Sequence, residues 1–198
     1  MYDKLYEYYT GRTSVASVAD NDYAGQTFTI GAVGDNELHR LTKLILNLSK
    51  WAADGITIGT AYVDISETSG GLPSDSVLAT VSFDGDAELD VHPANKEITF
   101  NFTDGPLLRP NIKYAWYVRA PNTVASWVEV EIYMSAIPPP TYPGGSFVGT
   151  TDGGGSWSAN TGWDCWFKEY GFQTTNMTIN GNATLNPEGI GPTILSYK

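Results

Sequence analysis

Glu129 and Glu131 stand two residues apart in a stretch of alternating apolar and polar residues, together with Tyr133. On a strand, side chains two apart share a face about 7 Å from one another, near the spacing a glycosidase keeps between its two carboxylates. A solvated strand face gives the same pattern, and that reading is preferred. The chain has two histidines, His39 and His92. His39 opens a strand in Leu38-His39-Arg40, and His92 precedes Pro93 in a loop. A Ser-His-Asp assembly is built in space rather than along the chain, so two histidines do not exclude one. No Gly-x-Ser-x-Gly elbow, phosphate-cradling glycine run or His-Glu-x-x-His accompanies them, however. The expectation is a protein that is not an enzyme.

Oxygen ligands offer a second chemistry. Asp84, Asp86, Glu88 and Asp90 crowd one loop and Asp20-Asn21-Asp22 another. Calcium takes several oxygens from a turn, although neither run has the spacing of an EF-hand. The first run is the candidate calcium site, with charged turns as the plainer reading and no other cofactor expected. Six tryptophans divide by position. Trp116 and Trp166 read as core, whereas Trp51, Trp127 and Trp157 fall at strand edges or turns, where a flat ring stacks on a sugar or buries at an interface. Tyr133 joins these as a surface aromatic. The single cysteine, Cys165, permits no internal disulfide and reads as a buried, inert thiol.

These residues need a frame. The composition is that of a β protein, with 21 Gly and 11 Pro as punctuation and 13% aromatics. Twenty-two acidic against 11 basic residues leave a net charge of -11. Such a balance repels phosphate backbones and anionic lipid heads, which argues against nucleic-acid and membrane-surface roles. Met1-Tyr2-Asp3-Lys4 lacks the basic and apolar regions of a secretory signal. No apolar run approaches the roughly 20 residues of a spanning helix. A soluble chain without membrane insertion is expected.

Along the chain, Tyr2, Leu5, Tyr6 and Tyr9 have helical spacing and fit one helical turn or an extended arm, and 13–22 reads as a loop. Alternation then marks strands at Gln26–Ile30, Leu44–Ser49, Ile56–Ile65 with a bulge near Gly59-Thr60, Val77–Phe83, Glu97–Thr103, Lys113–Val118, Trp127–Met134 and Trp163–Phe172, with Phe147-Val148 between the last two. Ser69-Gly70-Gly71-Leu72-Pro73 reads as a loop. Within Glu97–Thr103, Ile98, Phe100 and Phe102 face inward. About nine strands without strand–helix alternation predict an all-β, two-sheet antiparallel sandwich. The expected organisation is an N-terminal arm (1–22), the sandwich (23–172) and a C-terminal extension with a short hairpin (173–198).

Several segments resemble, in order, the jelly-roll modules of phage virion proteins and microbial cell-surface proteins. Gln26-Thr27-Phe28-Thr29-Ile30-Gly31 resembles their opening, and Gly71-Leu72-Pro73-Ser74 with Val77-Leu78-Ala79 a middle loop. Leu107 to Val118 is similar to a later strand, with Asn111 in place of Gly. Pro143-Gly144-Gly145, then Asp152 to Trp157 and Phe167 to Gly171, resemble their ending. The resemblance implies a jelly-roll and no catalytic residues. It leads to the expectation of a homo-oligomeric virion structural protein (capsid decoration, tail or fibre-associated) that contacts itself and other virion or surface proteins. A carbohydrate-binding module working through its surface tryptophans is the alternative, with a cell-surface or secreted location. A glycosidase using Glu129 and Glu131 is the third reading.

Overall fold

Alternation of apolar and polar residues becomes strands almost throughout the computed structural model, which describes residues 3–52, 57–123, 128–136, 142–174, 178–179 and 183–184. In chain order the elements are β1 (Lys4–Tyr9), β2 (Ser14–Val18), β3 (Tyr23–Thr29), β4 (His39–Ala52), β5 (Thr60–Ser69), β6 (Leu72–Asp84), the short helix α1 (Gly85–Glu88), β7 (Lys96–Asn101), β8 (Leu107–Leu108), β9 (Lys113–Arg119), β10 (Val128–Ser135), β11 (Phe147–Thr150), β12 (Ser158–Asn160), β13 (Asp164–Cys165), β14 (Phe167–Gln173), β15 (Thr178–Ile179) and β16 (Ala183–Thr184). Every ladder among them is antiparallel.

Two sheets pack as a β-sandwich, as the alternation predicted, with more strands than the nine expected. The 14-residue strand β4 is the spine of the eight-stranded sheet. On one side it pairs with β7 and β8, and on the other with β14 and β10 placed end to end. β1 and β2 continue outward from β14 and β10, while β13 pairs with the end of β10. The six-stranded sheet runs β12-β11-β3-β9-β5-β6.

Leu44, Leu46 and Leu48 of β4, Ile98 and Phe100 of β7, and Ile132 and Met134 of β10 meet Phe28, Val63, Ile65, Trp116 and Val118 of the six-stranded sheet in one apolar core. Phe167 bridges the layers, its ring 6.0 Å from those of both Phe28 and Trp116. Aromatic rings at such separations add to the transfer free energy of the area they bury. Ile98, Phe100 and Phe102 face inward as expected, while Glu97, Thr99, Asn101 and Thr103 are exposed.

Four segments differ from expectation. Residues 4–9 form not a helical turn but an extended edge strand lying on β14, in which a bulge between Leu5 and Glu7 lets the adjacent Tyr6 and Glu7 both be buried. Ser14–Val18, read as loop because its residues are small, pairs with β10 along its whole length. Gly70 and Gly71 have φ of +61° and +84° and make a two-residue hairpin turn, so Leu72 and Pro73 belong to β6 rather than to a loop. Gly59 is not within a bulged strand, since β5 begins after it at Thr60, and Ile56 lies outside the described residues. Beyond Thr174, Thr178 pairs with Thr184 and Ile179 with Ala183.

Candidate functional site

The outer face of the six-stranded sheet carries a continuous group of aromatic and charged side chains. In β9, Trp116 and Val118 point to the core, so period-two alternation turns Tyr117 and Arg119 outward. Register places Tyr117 opposite Asp64 and Arg119 opposite Tyr62, both in β5. Arg119 Nε donates to Asp64 Oδ2 at 2.6 Å, Thr80 Oγ1 donates to Asp64 Oδ1 at 2.5 Å, and the guanidinium lies 4.1 Å above the Tyr62 ring. Asp64 is 2% exposed, so its charge is enclosed by its partners rather than by water.

Tyr117 adjoins two further rings, Trp157 at 4.9 Å and Tyr23 at 6.3 Å, and Tyr23 and Trp157 are 6.5 Å apart. Burial, and then the Asp64 carboxylate, push the Tyr117 phenol up to about 12, which keeps it a neutral hydrogen-bonding group. Trp157 is placed by the glycine-rich loop before it. Asp152 accepts from Ser156 N–H, Ser156 Oγ and Thr150 Oγ1, and these bonds draw its carboxyl down to about 2. Gly153 and Gly154 have φ of +73° and +96°, which the tight loop demands of them. Beside the rings lies an open cleft of about 390 Å³ lined by Tyr23, Trp157, Asp22, Thr150, Ser156 and Ser158 among others. Two aromatic faces surrounded by hydroxyls and a carboxylate suit a polyhydroxylated ring, which offers C–H faces to stack and O–H groups to bond.

Trp51, Glu131 and Tyr133 gather on the opposite side, on the outer face of the eight-stranded sheet. Trp51 is 47% exposed, with its ring 5.3 Å from that of His92. His92 Nδ1 lies 2.9 Å from Glu131 Oε2, to which Ser49 Oγ also donates at 2.5 Å. Glu131 is thus not on a solvated face: it is 3% exposed, because the segment carrying His92 runs beside β4, bonded to Lys50 N and Lys50 O, and covers it. Ser49 donates to the acid rather than to the imidazole and is itself buried, so the three residues lack a nucleophile–base contact. Glu129 stands opposite Trp51 in the ladder, but its side chain lies outside the described residues, as does Trp127.

The four acidic residues of the candidate calcium loop do not converge. Asp84 caps α1, accepting from Asp86 N–H and Ala87 N–H. Both oxygens of Asp86 are taken by the N–H groups of Ile58 and Gly59 at 2.9 Å. Asp90 pairs with Lys96, and Glu88 is exposed. Among the described residues no group of three or more His, Cys, Asp or Glu is placed to hold a metal ion. Two of the four, Asp84 and Asp86, thus serve backbone donors rather than a cation.

A buried polar network at one end of the sandwich was not anticipated beyond His39. The His39 ring stacks 3.6 Å from that of Tyr6, with Nδ1 facing Glu37 O at 3.0 Å and Nε2 facing Glu169 Oε1 at 3.1 Å. Burial raises the Glu169 carboxyl, against the hydrogen bond to His39. Glu7 accepts from the N–H groups of Gly31, Ala32 and Val33 and from Tyr142 Oη, whose phenol is raised by burial and by that carboxylate. Cys165 is buried, with its thiol raised by desolvation, as an inert core thiol would be. No protein-family model matches the chain, and no curated protein matches it.

Proposed function

We propose that this chain is a non-enzymatic binding module of a virion or cell-surface structural protein, and that its ligand is a glycan held in the Trp157–Tyr23 cleft. The observation carrying this reading is the aromatic group of Tyr23, Tyr117 and Trp157 beside the Arg119–Asp64 pair on one sheet face. Stacking rings set above fixed polar groups are what a sugar surface requires. A glycan array followed by calorimetric titration of the retained oligosaccharides tests it. Trp157→Ala and Tyr23→Ala are expected to lower affinity about ten-fold or more. Failure of every glycan to bind, or binding that ignores both substitutions, sinks the reading.

A second reading, assembly with copies of itself or other structural proteins, is favoured by the open edges. β6 ends the six-stranded sheet as a 13-residue strand, with Val77 47% exposed. An edge this long is a ready template for another strand. Light scattering decides: a monomer at high concentration counts against self-assembly, and a stable oligomer supports it.

A further inference from the structure

We infer that the groove beside Trp51, on the sheet opposite the Trp157 cleft, is a second ligand site that takes an acidic sugar, its pyranose ring on Trp51 and its carboxylate on Arg12. The groove has a volume of about 460 Å³ and is lined by Arg12, His92, Asn95, Tyr133 and the start of β2. In a chain of net charge -11, the described residues of its lining include a guanidinium and no carboxylate; the side chain of Glu129, opposite Trp51 in the ladder, lies outside the described residues. Glu131 lies beneath His92, engaged by Ser49 and His92. Arg12 forms no ion pair among the described residues; its Nη1 donates to Asn95 Oδ1 at 2.8 Å, which holds it at the groove wall and leaves its other donors without a partner among those residues. A positioned guanidinium with unused parallel N–H groups is matched by a carboxylate, which accepts two of them at once.

The rest of the site answers the rest of such a sugar. Trp51 is not in the groove's lining but borders it, its half-exposed ring 5.3 Å from that of His92, and offers a face to the ring C–H groups. His92 is turned by its Nδ1 bond to Glu131, and Nε2 has no partner among the described residues. Asn95 and Tyr133 add polar groups along the same wall. A neutral sugar would leave Arg12 unanswered, and a simple anion would leave Trp51 uncovered, so the ligand must supply both a ring face and a carboxylate.

The test is titration of the full chain with trigalacturonate, maltotriose and sodium acetate, followed by tryptophan fluorescence and calorimetry. Saturable binding of trigalacturonate is expected, with maltotriose at least about ten-fold weaker at this site. Arg12→Ala and Trp51→Ala should each weaken trigalacturonate about ten-fold or more, while Ile112→Ala, an exposed residue that lines neither cleft, leaves it unchanged. Both altered residues are solvent-facing, and circular dichroism verifies that the variants fold. The inference is overturned if trigalacturonate does not bind, if acetate competes with it at equal concentration, or if binding survives both substitutions. Loss of binding in Trp157→Ala instead would move the acidic sugar to the other cleft. The glycan reading of that cleft stands or falls on its own variants, so the two failures are distinguishable.

Discussion

Removing the Glu131 carboxylate is expected to cost far more than a surface acid would, and the structure says how much. Its Oε2 accepts from Ser49 Oγ at 2.5 Å and lies 2.9 Å from His92 Nδ1, under almost complete burial. Hydrogen bonds to a charged group are worth about 1.5–3 kcal/mol each, and a buried donor left without a partner costs about 1–3 kcal/mol. Ser49 is wholly buried and would be orphaned, whereas the half-exposed His92 regains water. Glu131→Ala is therefore expected to lower stability by about 3–5 kcal/mol, the range for breaking a buried pair. Ser49→Ala, which leaves the His92 bond in place, should cost about 1–2 kcal/mol. The double variant no longer contains the orphaned hydroxyl, and should be about 1–2 kcal/mol more stable than the sum of the singles implies. Urea denaturation at pH 7 with unchanged m-values measures all three. Additivity to within about 0.5 kcal/mol, or a Glu131→Ala loss below about 1 kcal/mol, would refute the contact. Glu131 would then be an ordinary exposed acid, and the orientation of His92 in the groove would lose its support.

Two other perturbations follow from the packing. Burial raises the folded-state pKa of Glu169, so its stabilising contribution is complete below the unfolded value near 4.5 and is lost as pH rises through the folded value. The stability of the wild type relative to Glu169→Gln should thus fall as pH rises above 4.5 in urea titrations; a difference that is flat or grows with pH would refute the raised carboxyl. Gly25 leaves no room for a side chain, since a Cβ would come within 2.0 Å of Trp116 O, so Gly25→Ala should separate β3 from β9 and lower the melting temperature by about 10 °C or more; a change under about 2 °C would contradict this close approach.

The inward strands were legible because apolar residues two apart have one purpose, as Ile98, Phe100 and Phe102 show. β2 was not, because Ser14–Val18 holds only Val15 and Val18 as larger apolar groups and reads as coil without its partner β10. In β1, aromatic residues at helical spacing imitated a helix until the bulge and β14 set the register. The site shows the same division. Glu131 and Tyr133 were legible as one face of a strand, but Trp51 joins them only through the pairing of β4 with β10, and His92 and Arg12 arrive from distant loops that no local period announces. Tyr117 and Arg119 carried a readable signal, the alternate face of the strand containing Trp116, which was passed over in favour of the core. The acidic loop failed differently: sequence records charge density, whereas only the fold reveals that Ile58 and Gly59 consume Asp86.

Lys4 pairs with Gly171, and β14 ends two residues later at Gln173. The chain therefore enters and leaves the sandwich at one corner, along two neighbouring antiparallel strands. Hung from a larger particle by that corner, the domain would keep both broad faces free, like a paddle on a short handle. Tension between the two attachment points would load the β1–β14 hydrogen bonds one after another, as a zipper is opened, rather than all together. Such a joint would yield before ladders whose bonds are loaded together, since each of its bonds carries the load in turn. With a ligand on each face, as proposed above, the paddle would hold two ligands at once, and joined ligands would bind with the avidity of both contacts.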